Sequence, residues 1–597
     1  MSDHTPYGLH LGATVVGVET RFSAFTSAQS CAVRLYEENG DERATFPLEP
    51  KGDGLFERTL PDAGHGTLYK FVLDGKAWPD PYARFLPQGV HGPAMVVEPR
   101  HAFRAPQVAR PLSEQVIYEL HVGTFTDAGT YEGALAKLPE LVKLGITTVE
   151  LLPVAAFQGA RGWGYDGVAL FAPHAAYGTP DQLRAFVDGA HELGLSVLLD
   201  VVYNHFGPAG NYLSVYHPAY FTKEVQNPWG DAPNYAHPAM RGLALDNARY
   251  WLTSFGFDGL RLDAVHAIAD RSERHLLSEL AADAHALEPP RVLIAEDDRN
   301  DPAIIRGNGL DALWTDDFHH QIRVTLTGES DGYYGGYQGG IEGIARAIER
   351  GWLYEGQHPP GSDKPRGKPS GDLPAQSFVY CIQNHDQIGN RALGERLSDD
   401  VGIDAFCMAS TILLFLPMTP LLFMGQEWAA TSPFQFFTDH DPELGALVSK
   451  GRRDEFKLFR AFSDPDARAR IPDPQAAETF ARSRLKWEER EAEPHARVLA
   501  LYTALISLRR TDAVLRDAER KHMEADVTSG LLRVRRRAEG EERVLLANFS
   551  DRPVPLEDVD LPAERTLLVA SAPLGEEEIM PAKSAAIFGT RGVGVSS

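Results

Sequence analysis

Cysteine is scarce: Cys31, Cys381 and Cys407 are the only three in 597 residues. An odd, scattered set excludes a disulfide framework and offers no metal-ligand spacing, so reduced thiols in a cytoplasmic protein are expected. Positive charge is short as well. Lys and Arg number 58 against 83 Asp and Glu, a formal charge of −25. That balance argues against a nucleic-acid or anionic-membrane partner and for a neutral or cationic ligand. Met1 to Pro6 has neither a basic stretch nor an apolar core, so no secretory signal is expected. The long apolar run from Cys407 to Gly425 is interrupted by Pro417 and Pro420 and reads as a core helix entering a buried strand, not a membrane span. No internal repeat beyond strand–helix units is visible, and no long low-complexity tract.

What is present is an ordinary globular composition, 43% hydrophobic and 24% charged, in a chain long enough for several domains. Residues 1–108 hold short alternating runs, Ala32–Tyr36, Phe56–Leu60, Leu68–Leu73 and Met95–Val97, which predict a β-sandwich. Arg104 to Pro111 reads as a linker. From Val116 strands alternate with helices. Eight short buried strands are predicted at Val116–His121, Thr148–Leu152, Ser196–Val202, Phe257–Asp263, Val292–Glu296, Ala312–Asp316, Phe378–Ile382 and Pro420–Met424. Helices such as Ala134–Leu144, Asp181–Leu193, Arg274–His285 and Ile341–Arg350 fall between them, and Arg497–Arg510 closes the series. The pattern predicts an α/β fold, a (β/α)₈ barrel over residues 109–519. Insertions are expected near 206–240 and at Pro359–Pro374, where Gly, Pro and Lys suggest a mobile loop. Alternating runs after 520 predict a small C-terminal β-domain over 520–597.

The chemistry centres on Gly256 to His266. Arg261 and Asp263 lie two apart on a strand and therefore face the same way, where a guanidinium keeps a carboxylate ionised. Alone, such a pair is more often a structural ion pair. Here other predicted strands also end on polar residues: Asp200 to His205, Glu296 to Asp298, and Gln383 to Asp386. Barrel chemistry collects at these strand ends. Glu296 closes the apolar run Val292–Ala295, where partial burial would keep it protonated. One ionised and one protonated carboxyl are the machinery of glycoside cleavage. Trp163 and Tyr165 would add sugar-stacking surface.

Asp200–His205, Arg261–His266, Glu296 and His385–Asp386 resemble, in order, the four conserved regions of the α-amylase family of retaining glycoside hydrolases, and the likeness covers nearly the whole chain. It implies Asp263 as nucleophile, Glu296 as general acid/base and Asp386 as transition-state stabiliser. His205, His385 and His266 would bind the same sugar, Arg261 would orient Asp263, and Tyr165 would stack on the ring. Asp200 and Asn204 would be supports.

The N-terminal module with Pro79–Tyr82 is similar to the immunoglobulin-like domain of branching and debranching enzymes, and Tyr118–Thr126 is shared with them. Leu293–Asn300, Gln383–Arg391 and Phe436–Leu444 resemble instead the maltooligosyltrehalose trehalohydrolases of that family. The implied reaction is hydrolysis of the α-1,4 bond beside the terminal trehalose of maltooligosyltrehalose, with a maltooligosyltrehalose synthase as functional partner. Asp297, Asp298 and Gln387 are candidates for the trehalose side. No cofactor and no catalytic metal are implied, since no acidic set accompanies Asn204, near whose counterpart many relatives hold calcium. A branching or debranching enzyme is the alternative. A non-catalytic glucan-binding protein would be expected to have lost Asp263, Glu296 or Asp386, and all are present.

Overall fold

A computed structural model describes residues 10–590 except 228, 558, 562, 563, 576 and 577. Eight parallel strands close into a barrel in chain order. They are β1 (Ile117–Leu120), β2 (Thr148–Leu151), β3 (Ser196–Val201), β4 (Gly259–Leu262), β5 (Val292–Glu296), β6 (Ala312–Trp314), β7 (Phe378–Tyr380) and β8 (Thr419–Phe423). Each falls on a predicted strand. Strands sandwiched between a filled interior and covering helices carry continuous apolar runs, which is why they were legible. β1, β2, β3 and β8 are buried at every position.

The register of the barrel sets up the site. Ile117, Leu198, Ile294, Val379 and Leu421 come from five strands yet pack into one cluster, the apolar floor of the interior. Same-face residues recur every second position. The next inward side chains are therefore Glu119, Asp200 and Glu296, with Arg261 beside Asp200 in register. An apolar floor thus gives way to a charged ring one layer higher, towards the carboxyl ends of the strands.

Two helices differ from expectation. The predicted Ala134–Leu144 helix is two pieces, Tyr131–Leu135 and Leu138–Leu144, because Pro139 has no N–H for a continuing helix and sits in the first turn of the second piece. β6 stops at Trp314, and Asp316 instead opens the helix Asp316–Thr327. The apolar run near Cys407 is the helix Leu397–Phe415 entering β8. Among the described residues no helix is long and apolar enough to cross a membrane.

The 206–240 insertion carries an antiparallel hairpin, Phe221–Asn227 against Gly230–Pro233. The segment expected to be a mobile loop contacts the barrel at two of its cations. Arg366 reaches Tyr337 Oη at 2.8 Å and Asp317 at 3.3 Å, and Lys368 pairs with Asp301 at 2.5 Å. Arg366 and Lys368 find partners on the barrel, which composition alone could not show.

The N-terminal sandwich has a four-stranded sheet from Gly12 to Leu60 and a five-stranded one around Cys31–Tyr36 and Leu68–Leu73. Phe22, Val33, Tyr69 and Phe71 fill the space between. Against the barrel, Thr26 Oγ1 and Ser27 N both donate to Tyr216 O at 2.9 Å, and Tyr82 stacks on Phe171. After Met523 a five-stranded antiparallel sheet packs on the helix Leu397–Phe415, where Arg536 donates to Phe415 O at 2.6 Å.

Candidate active site

Arg261 is the hub of the charged ring. It is fully buried. One terminal nitrogen meets Asp200 at 2.8 Å and Asp263 at 2.9 Å; the other meets Glu296 at 2.8 Å. Its guanidinium lies 4.1 Å from the Trp314 ring centre. Asn204 Nδ2 donates to both the backbone oxygen and Oδ2 of Asp263, at 2.8 and 2.7 Å. Tyr165 Oη donates to Asp200. Ala264, at φ 39° and ψ 54°, is in the left-handed region. That strained turn, typically costing about 1–2 kcal/mol, aims its N–H at Glu296 Oε2, 2.8 Å away.

Burial raises the Glu296 carboxyl above its ordinary value; Arg261 opposes the rise and the nearby Asp263 reinforces it. Burial also lifts Asp200 to about 7, again against the pull of Arg261. Asp263 and Glu296 therefore hang from one guanidinium, with Glu296 biased towards its protonated form.

A second charged unit faces it. Both oxygens of buried Glu119 accept from His385, one from Nδ1 and one from the backbone N–H at 3.0 Å. His385 Nε2 lies 3.4 Å from Asp386. Burial disfavours the imidazolium, but Asp386 and Glu119 outweigh it and raise His385 from 6.5 to about 9. A folded value above the unfolded one means that this pairing stabilises fully below about 6.5 and is lost as pH climbs through about 9. Replacing Glu119 with Gln should thus cost stability at pH 6 and progressively less towards pH 9.5. Parallel stability curves from pH 6 to 9.5 would reject a charged His385.

The cleft above these groups has a volume of about 410 Å³. Asp263, Glu296, His385 and Asp386 form its floor; Trp163, Tyr165, Trp229 and Phe436 stand in its walls. Trp229 is 52% exposed and lies flat on His205, ring centres 4.3 Å apart at 13°. Burial drops His205 to about 4, so it is neutral near pH 7. Asn227, in the hairpin that carries Trp229, donates to Asn204 O at 2.8 Å and ties that hairpin to the support of Asp263. Tyr165 stacks on His385 at 5.1 Å.

Comparison with known proteins places this geometry. Residues 118–228 match the alpha amylase catalytic domain, and residues 519–587 match a domain of unknown function, DUF3459. A malto-oligosyltrehalose trehalohydrolase from Deinococcus radiodurans is 52% identical over 92% of this chain and 91% of its own. One from Arthrobacter ramosus is 45% identical over 82% of this chain and 87% of its own. The chain belongs to the malto-oligosyltrehalose trehalohydrolase family. A solved structure of a Salmonella typhimurium protein, 38% identical, superposes with a TM-score of 0.90 over 98% of this chain and 100% of that one.

For this trehalohydrolase-family chain, the expected site residues divide by position. Asp263, Glu296, Asp386, Tyr165, His205, His266 and His385 line the cleft, with Arg261 directly behind. Asp297 is turned away into a bidentate pair with Arg299. Gln387 is buried and donates to Asp316 at 3.3 Å. Asp298 is exposed at the rim, 3.7 Å from His266. His266, Asp297 and Asp298 could present ligand atoms within 4.8 Å of one another, but Arg299 already occupies Asp297. Glu119, Trp229 and Asp316 were missed by sequence reasoning. Glu119 sits inside an apolar run, and Trp229 in an insertion without a local motif. The sequence pattern places Asp316 at a strand end, yet it opens a helix, and burial with Glu296 and Asp386 nearby raises it to about 7.

Proposed function

We propose that this chain hydrolyses the α-1,4-glucosidic bond next to the terminal trehalose of maltooligosyltrehalose, with retained configuration. The single observation that carries the mechanism is the sharing of Arg261 by Asp263 and Glu296. The two terminal nitrogens of one guanidinium hold Asp263 at 2.9 Å and Glu296 at 2.8 Å, so the carboxyls flank a common point. Two carboxyls set on one support suit a direct nucleophile paired with an acid, the arrangement of retaining enzymes.

Asp263 attacks the anomeric carbon while Glu296, kept protonated by burial, gives its proton to the leaving oxygen. A covalent glycosyl-enzyme forms and trehalose departs. Glu296, now a base, takes a proton from water as that water attacks the same carbon, and the maltooligosaccharide leaves. Arg261 and Asn204 hold Asp263, and Asp386 beside the charged His385 binds sugar hydroxyls. His266 binds the same sugar as His205 and His385; Asp298, beside it at the rim, serves the trehalose side, where Asp297 and Gln387 act by fixing Arg299 and Asp316. The working compartment is the cytoplasm, where a maltooligosyltrehalose synthase would supply substrate.

Incubation with maltotriosyl-trehalose and, separately, maltohexaose tests the reading. Fast release of free trehalose from the first and slow cleavage of the second are expected. Equal cleavage of both would make the enzyme a general amylase, and new α-1,6 links from amylose would make it a branching enzyme. Trp229→Ala should raise KM about two- to tenfold, the worth of one stacked ring, with kcat little changed; an unchanged KM would remove Trp229 from the sugar path.

A further inference from the structure

At the opposite, amino-terminal end of the barrel lies a cavity of about 230 Å³ lined by Arg110, Glu114, Arg509, Arg510 and Arg516, with Val116 and Leu515 among its apolar surfaces. Four guanidiniums face one carboxylate, in a chain whose formal charge is −25. Glu114 is 3.6 Å from Arg110. Among the described residues no carboxylate is within ion-pair distance of Arg509, Arg510 or Arg516.

The arginines are not equivalent. Arg509 is buried and donates to the carbonyls of Leu414, Leu416 and Met418, at the end of the helix Leu397–Phe415. Arg536, immediately beyond the cavity, donates to Phe415 O at 2.6 Å and to Leu515 O at 3.0 Å. Two full charges therefore meet a helix end worth about half a negative charge. Arg110 reaches Gly194 O at 3.1 Å and Arg510 reaches Gly145 O at 3.3 Å, both neutral acceptors. Burial lowers Arg110, Glu114 opposes that, and the Arg510 charge lowers it further. Arg516 has no side-chain hydrogen bond or ion pair among the described residues. The wall thus has an excess of cation with unspent donors, in a place where the catalytic cleft makes no demand.

We propose that this cavity between the segment preceding β1 and the last barrel helix with the short helix after it is a binding site for a phosphate group, carried by inorganic phosphate or by a phosphorylated sugar. Guanidiniums match phosphate oxygens with paired, charge-assisted hydrogen bonds. The volume is below the range of about 300–1,000 Å³ usual for larger ligands, which suits one small anion. Occupancy would bridge the linker residue Arg110, the last barrel helix and the short helix Ala513–Arg516 that leads to the C-terminal sheet, and so would stabilise the folded chain by mass action.

The test is calorimetric titration of the full-length protein with inorganic phosphate and, separately, glucose 6-phosphate, with thermal unfolding followed in phosphate or in sodium chloride at equal ionic strength. Saturable binding and a higher Tm in phosphate than in chloride are expected. Arg516→Ala should weaken binding about tenfold, the loss of one charge-assisted hydrogen bond. Glu114→Gln, which removes the one carboxylate, should tighten it. Tighter binding of glucose 6-phosphate than phosphate would assign the site to a phosphorylated sugar, and equal binding to phosphate itself. Absence of saturable binding, equal Tm in phosphate and chloride, or both variants binding like the parent would overturn the proposal.

Discussion

Replacing Asp263 with Asn should cut trehalose release by at least about 10⁴-fold, the scale on which removal of a nucleophile acts, while leaving the fold in place. The amide is nearly isosteric with the carboxylate. It can still accept one hydrogen bond, but Arg261 and Asn204 both donate here, at 2.9 and 2.7 Å. One of those contacts becomes donor facing donor, a cost of about 1–3 kcal/mol, small beside the loss of the covalent step. The lost charge also removes one of the influences that raises Glu296. Steady-state product analysis together with scanning calorimetry separates the two effects. Turnover within about a hundredfold of the parent in a folded variant would exclude Asp263 as nucleophile.

Arg261→Gln should destabilise the protein by about 3–5 kcal/mol, the cost of leaving buried charges unpaired, and abolish turnover with it. Arg261 is fully buried and touches Asp200, Asp263 and Glu296. Without it three carboxyls share one site with no cation among them, and they would respond by holding protons. The pH dependence follows in sign. Acids whose folded values rise above the unfolded ones contribute a penalty that grows as pH increases past the ordinary carboxylate range. The variant should therefore lose more stability, relative to the parent, at pH 8 than at pH 5. Urea unfolding at those two pH values measures this directly. Equal losses at both would mean that Arg261 does not govern the protonation of the acids it touches.

The barrel strands were legible because each is a short apolar run between helical stretches, a pattern imposed by burial on both faces. The Ile341–Arg350 helix was read to the residue, since its alternation of apolar and charged positions follows one helical face. The Ala134–Leu144 reading failed at Pro139, where a missing N–H matters more than periodicity. For Pro359–Pro374 composition reports only the flexibility of the chain in isolation; the pairs Arg366–Asp317 and Lys368–Asp301 form across the fold and leave no local signal.

The same division runs through the site. The two-residue spacing of Arg261 and Asp263 is local, so a strand alone makes them neighbours. The sequence by itself also determined that Glu296 ends β5, because a carboxylate closing an apolar run is visible without coordinates, whereas Asp200 lies within β3 and Asp386 beyond β7, in the short helix His385–Gly389. Tertiary structure alone decided that one guanidinium serves three carboxylates, that Glu119 grips both the ring and the backbone of His385, and that Trp229 lies over His205. It also sent Asp297 to Arg299 and Gln387 to Asp316. Those meetings depend on the stagger of neighbouring strands and on where an inserted hairpin comes to rest. Both are set by long-range closure of the barrel, which leaves no mark in the residues on either side of any one position.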